Sequence, residues 1–325
     1  MGLPVQLFNI QSAARTLFGH VRRTPLLPFG ALSERLGVPV YLKCENLQSG
    51  GSFKLRGATN AVACAIARGE RPRGVVTYSS GNHAQGCALA ARAFGMPAIV
   101  VMPKDAPSVK INATKNYGAE VLFEGFTSEE RRVEAERIAN EKGFLLIRPF
   151  DDADVVAGQG TVGLEILSDC AGVETVVIPC GGGGLTAGVA LAISANKPSA
   201  RIVSVEPQAA PKMARSIAAG EVISKAPGAS IADGLRPNAP GEIPFAIARE
   251  RLSQSCEVSD DELEFAVSLL FRRARLVVEP SGAAPVAALW FAKVAKPRGP
   301  VAAILSGGNI EPAVFERILS RKELW

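Results

Sequence analysis

The sequence predicts an α/β protein with two lobes, each a mostly parallel sheet covered by helices. Three observations predict it. Short β-branched runs alternate with helical segments along nearly the whole chain, the pattern of strands joined by crossover helices. At 325 residues the chain exceeds the ~100–200 residues of a usual domain. A compact α/β unit near 70–148 also interrupts a second series of the same pattern. The expected division is a large domain over 1–69 and 149–325, with a small domain over 70–148 inserted in it.

In chain order, 75–78 and 98–102 are expected strands, with a small-residue helix between them that ends before Gly95. A helix over 110–117 ends at Gly118, a residue suited to a left-handed cap. Strand 120–123 follows, then a charged helix over 128–142 stopped by Gly143, then strand 144–147. The second series has strands at 175–178, 201–205 and 301–305, and helices at 185–194, 260–273 and 281–295. The segment 224–244, rich in Pro, Gly and Ala, reads as a long surface excursion.

Composition narrows the function classes. With 47% hydrophobic and 21% charged residues, the chain has the make-up of a soluble globular protein. The net charge of +5 is spread among acidic neighbours, and the cluster Arg272-Arg273-Ala274-Arg275 is too short for a nucleic-acid footprint. Six scattered cysteines without a CxxC pair suggest reduced thiols and a cytoplasmic protein. Two histidines, His20 and His83, cannot build a multi-histidine metal site. The uncharged stretch 176–195 has the length of a membrane span, but Pro179 and Gly181 to Gly184 make it a strand, a turn and a buried helix. No nucleic-acid or membrane partner is expected.

Four turns carry the chemistry. The strand ending at 178 runs into Pro179-Cys180-Gly181-Gly182-Gly183-Gly184-Leu185, and a glycine turn opening a helix offers N–H groups to a phosphate. No Gly-Lys-Ser/Thr ending is present, which excludes a P-loop. Gly182-x-Gly184-x-x-Ala187 with Glu206 beyond it also fits a dinucleotide fingerprint. An NAD-dependent dehydrogenase or a phosphate-ester binding protein therefore stands as a distant alternative. The second turn, Ser49-Gly50-Gly51-Ser52-Phe53-Lys54-Leu55-Arg56-Gly57, puts Lys54 at a helix start with Ser52 as candidate cap. Helix dipole and partial burial both disfavour the ammonium, which is how a Schiff-base lysine is prepared. The third, Tyr78-Ser79-Ser80-Gly81-Asn82-His83, lies where a strand gives way to a helix and can clamp a carboxylate; His83 can equally be a satisfied helix-start histidine. The fourth, Leu305-Ser306-Gly307-Gly308-Asn309, puts a hydroxyl at a strand end.

With these four turns in this order, together with Arg23-Thr24-Pro25-Leu26 and Val278-Glu279-Pro280-Ser281-Gly282, the chain resembles the threonine/serine dehydratase and serine racemase family. Those are fold type II pyridoxal-phosphate enzymes. The resemblance implies pyridoxal 5'-phosphate as cofactor and β-elimination of water from a β-hydroxy-α-amino acid, giving a 2-keto acid and ammonia. It implies that Lys54 carries the cofactor and takes the Cα proton, with Phe53 against the ring. Gly181, Gly182, Gly183, Gly184 and Leu185 would bind the phosphate, Asn82 the ring hydroxyl and Ser306 the pyridine nitrogen. Ser79, Ser80, Asn82 and His83 would hold the substrate carboxylate, and Ser80 matches the acid/base serine of the racemases. Racemisation, and dehydration of a bulkier amino acid such as hydroxyaspartate or phenylserine, are the alternatives within the family. A homodimer or larger homo-oligomer is expected.

One departure bears on metals. In family members with a divalent cation, Glu206 would begin its site and a second carboxylate would follow. Here the run is Glu206-Pro207-Gln208-Ala209-Ala210-Pro211-Lys212, and a lysine can pair with Glu206 but cannot ligate a metal. No metal is expected.

Overall fold

The computed structural model describes residues 3–106 and 108–321. Its strands are β1 (Leu26–Pro28), β2 (Val40–Lys43), β3 (Val75–Tyr78), β4 (Ala98–Met102), β5 (Glu120–Phe123), β6 (Leu145–Leu146), β7 (Thr175–Pro179), β8 (Arg201–Pro207), β9 (Gln254–Val258) and β10 (Val301–Ile304). They form a six-stranded sheet of order β1-β2-β10-β7-β8-β9 and a four-stranded sheet of order β5-β4-β3-β6. Every pairing is parallel except β1 with β2. The protein is thus two lobes of mostly parallel sheet, as the alternating pattern predicts.

The inner strands explain why the pattern reads so clearly. β4 and β7 are buried along their whole length, because parallel sheets covered on both faces need apolar side chains at every position. In the larger sheet, helices Ala153–Asp169 and Gly184–Asn196 cover one face around Val162, Ile178 and Val189. Helices Asp260–Leu269 and Pro280–Trp290 cover the other, around Val177, Val267 and Leu289. The smaller sheet carries helix Asn82–Ala93 on one face and helix Ser128–Lys142 on the other. Helix Lys54–Ala67 packs on both Asn82–Ala93 and Ala153–Asp169. It is the seam between the sheets, and Lys54 is its first residue.

Several expectations shift. Helix Ser128–Lys142 appears with its bounds unchanged, held by a capping box between Thr127 and Glu130 and a left-handed Gly143. The strand expected over 144–147 shrinks to the two residues of β6, and the helix expected over 260–273 ends at Leu269 and continues as a π turn. The segment 224–244 is not merely a surface excursion. Ala232 and Leu235 are buried, and Gly234, in the turn Asp233–Leu235, packs against the glycine loop. No helix among the described residues is long and apolar enough to cross a membrane. All six cysteines are unpaired.

Candidate active site

The four turns named from the sequence come together at the carboxyl ends of parallel strands, where open α/β sheets place ligands. The lysine turn is stitched to the turn after β10. Phe53 N–H donates to Ser306 O at 3.1 Å, Gly308 N–H to Gly51 O at 2.9 Å, and Ser52 pairs with Gly307. Ser52 is therefore not the helix cap. It lies in extended backbone, and Phe53 occupies the cap position without a side-chain bond. The amine of Lys54 is enclosed, 5.3 Å from the centre of the Phe53 ring, and donates to Pro149 O at 2.7 Å. A neutral carbonyl is a poor partner for a buried charge, so burial pushes the amine down to about 8.

The next residue, Phe150, forms a wall of the glycine loop. A Cβ on Gly182 would stand 2.2 Å from the Phe150 ring, and one on Gly181 would stand 2.8 Å from Gly234 O. Gly183 has φ +94, a left-handed conformation that suits glycine. The first helical bond of Gly184–Asn196 runs from Ala187 N–H to Gly183 O at 2.8 Å. The N–H groups of Gly184, Leu185 and Thr186 precede it and have no partner within the helix. A dianionic phosphate suits such a cradle: the dipole is favourable and the four glycines carry no side chains of their own.

Asn82 is held from both sides. Its Nδ2 donates to Glu279 Oε1 at 2.7 Å, and its Oδ1 accepts from Asn309 Nδ2 at 2.7 Å. Glu279 is buried, and its carboxyl is pushed up to about 8, by desolvation first and by Asp233 second. Ser79 Oγ accepts from Gly81 N–H at 3.2 Å, folding the Ser79-Ser80-Gly81 turn onto itself. Ser306 is buried two residues beyond the end of β10. His83 is narrower in role than expected. Its buried ring lies 3.1 Å from Ile147 O and 3.4 Å from Cys87 Sγ, and burial pushes it down to about 3, with Lys54 adding to the effect. The imidazole is a neutral packing group, and only the main-chain N–H at the helix start remains for an anion.

Sequence reasoning missed three contributors. Glu279 lies inside a motif that points to the family but carries no role there, although a glutamate before Pro280 at a helix start is a visible signal. Pro149 acts through its carbonyl, which leaves no side-chain signal. The third is a cluster of buried charges beneath the lysine turn. Arg56 donates to Glu45 at 2.8 Å and to Glu165 at 2.7 Å, and Lys43 pairs with Glu165 at 2.5 Å. Thr24 Oγ1 also donates to Glu45. Two cations meet two carboxylates, so the cluster is balanced.

An enclosed amine with depressed pKa, a side-chain-free anion cradle and parallel strands on two lobes define a fold type II, lysine-linked phosphate-cofactor enzyme. Comparison with known proteins names the group. Residues 17–307 match the family described as pyridoxal-phosphate dependent enzyme, and the chain belongs to that family. It is 42% identical over 317 residues to the L-threonine ammonia-lyase of Thermotoga maritima, covering 98% of this chain and 79% of that protein. Among solved structures, maize serine racemase superposes with TM-score 0.92 at 34% identity, covering 96% of each chain. A threonine deaminase from T.th. superposes with TM-score 0.89 at 43% identity, covering 94% of this chain and 99% of that one. The cofactor is pyridoxal phosphate, and a dehydrogenase reading of the glycine loop falls away.

Proposed function

We propose that the protein eliminates water from a small β-hydroxy-α-amino acid of the threonine or serine type, releasing a 2-keto acid and ammonia. The observation that carries this reading is the Lys54 amine, enclosed against Pro149 O one residue before the wall of the glycine loop. Bound pyridoxal phosphate supplies an electron sink for the bond broken at Cα. With its amine pushed down to about 8, Lys54 is a neutral base in useful fraction near neutral pH and removes the Cα proton. The N–H groups of Gly184 and Leu185, with Gly181 to Gly183, would hold the phosphate. Phe53 would lie against the ring, Asn82 would meet its hydroxyl, and Ser306 its nitrogen. A serine hydroxyl there would not protonate the nitrogen as a carboxylic acid partner would, a setting that suits prompt loss of the β-hydroxyl. Ser79, Ser80 and the N–H groups of Asn82 and His83 take the substrate carboxylate. The segment 70–148 is the small domain and the rest the large one.

A second reading, amino-acid racemisation, is supported by the likeness to maize serine racemase and by Ser80 as a proton carrier on the other side of the substrate. The deciding experiment incubates the holoenzyme with L-threonine, L-serine, threo-3-hydroxyaspartate and phenylserine. Keto acid and enantiomer are then measured together. Keto acid from L-threonine or L-serine supports dehydration; enantiomer without keto acid would transfer the assignment to racemisation, and neither product from any of the four would sink both.

The unpaired cysteines support a cytoplasmic setting. Phe8 and Phe18, 64% and 89% exposed, support burial against a second copy; a monomer by light scattering would exclude the homodimer.

A further inference from the structure

Lys212 is a lysine enclosed by oxygens. It opens the helix Lys212–Ala219, yet only 4% of its side chain is exposed. Its Nζ stands 2.9 Å from Leu235 O, 3.0 Å from Ala210 O, 3.1 Å from Glu206 Oε1 and 3.4 Å from Cys180 O. One carboxylate and three carbonyls around a single positive centre is the oxygen cage of a hard cation. An ammonium has three protons, which suit the three shorter contacts. Glu206 Oε1 also accepts from Met213 N–H, and its Oε2 accepts from Ala214 N–H, both at 2.9 Å. The divalent cation implied by the family resemblance does not fit. Its position is taken by Nζ, and no group of three metal-ligating side chains exists among the described residues.

The cage joins segments far apart in sequence, and each borders the glycine loop. Cys180 immediately precedes Gly181. Gly234, beside Leu235, has its carbonyl 2.8 Å from where a Gly181 Cβ would stand, and Met213 lies 2.7 Å from the corresponding point on Gly183. We propose that Lys212 is a tethered cation: its ammonium takes the place of a bound metal ion and positions the phosphate loop by drawing Cys180, Ala210 and Leu235 around Glu206. Lys212 is thus a positioning residue that makes the enzyme indifferent to metals. Shortening its side chain exposes an oxygen-lined hole that a free cation can fill. The loop's part in this rests on the cofactor role proposed for Gly181 to Gly184; the response to cations does not.

The test measures melting temperature of the apoenzyme and its dissociation constant for pyridoxal phosphate. Both are read after chelation, then with sodium, potassium, ammonium, magnesium or calcium chloride. The wild type should give the same values throughout. Lys212→Ala should melt lower and bind pyridoxal phosphate at least ~tenfold more weakly, about 1.4 kcal/mol, and one or more of potassium, ammonium, magnesium and calcium should restore both. Lys212→Met, whose side chain fills the hole without charge, should show the same loss and no restoration. A wild type that loses stability on chelation and regains it with magnesium or calcium would overturn the proposal. So would a Lys212→Ala enzyme that answers to no cation or binds cofactor normally. If the single variants do not fold, the neutral pair Glu206→Gln with Lys212→Met removes the unpaired carboxylate. It should fold and still bind cofactor weakly, and normal binding there would equally refute the idea. Because these readouts need no turnover, failure of the keto-acid assay alone would strike only the proposed reaction.

Discussion

Lys43 and Lys54 are eleven residues apart, the first buried and the second half-buried, yet they are put to opposite uses. Lys43 faces Glu165 and belongs to a balanced cluster with Arg56 and Glu45. Lys54 donates to the carbonyl of Pro149 beside the Phe53 ring, with no carboxylate paired to it among the described residues. A buried cation with a carboxylate keeps its charge and locks segments together; one without is driven toward neutrality and gains a free electron pair. The helix that begins at Lys54 carries both kinds, with Arg56 anchoring its first turn two residues from the reactive amine. Chemistry here depends on a withheld partner, and the fixed position of that chemistry on a supplied one.

The sharpest test of this contrast is Lys54→Ala. Turnover should fall by at least ~10²–10⁴-fold, the scale of a lost general base, and the visible cofactor band should vanish, while the melting temperature holds or rises. Arg56→Met should behave in the opposite sense. It leaves buried Glu45 and half-buried Glu165 with too little positive charge, and breaking such a network costs about 3–5 kcal/mol, read as a lowered denaturation midpoint. If Lys54→Ala destabilised the fold as much as Arg56→Met, the distinction would collapse.

Glu279 sharpens the contrast from the acidic side. Its carboxyl rises from 4.5 to about 8 on folding, so the folded state holds a proton that the unfolded state releases. Between those pH values the native state binds more protons, and stability falls as pH rises. Glu279→Gln mimics the protonated form, so its stability advantage over wild type should grow from pH 5 to 8 and level off above. A difference flat with pH would mean that Glu279 stays ionised. The smallest effect belongs to an exposed feature with no burial at stake. Thr127→Ala removes the cap of helix Ser128–Lys142 and should cost ~1 kcal/mol with turnover unchanged.

Much of this site is legible in the sequence because each turn follows a strand or opens a helix, a junction that glycine and serine mark. Helix Ser128–Lys142 is legible to the residue because its cap, charge pattern and terminal glycine agree. What stays hidden shares one physical trait. β2 has four residues and β9 is mostly polar in sequence (Gln254-Ser255-Cys256-Glu257-Val258), and their strand character is set by neighbours distant in the chain, such as β10 beside β2. Pro149 contributes a carbonyl, which any residue could supply. Glu45 and Glu165 read as ordinary surface charges until the fold brings Arg56 between them. Ser52 has the residue type of a cap, but Gly307, from the far end of the chain, holds it extended.

Four consecutive glycines carry no side chains of their own to fix their conformation, and glycine loses more freedom on ordering than any other residue. The order of the Gly181 to Gly184 loop is therefore lent by Phe150, Gly234, Met213 and Pro244, which crowd it from separate stretches of chain. In the language of hydrogen exchange, those amides should open with a free energy set by their neighbours' grip rather than by the stability of the whole fold. The enzyme thus places its least self-sufficient backbone where the cofactor binds, and cofactor binding should be felt as protection spreading outward from that loop.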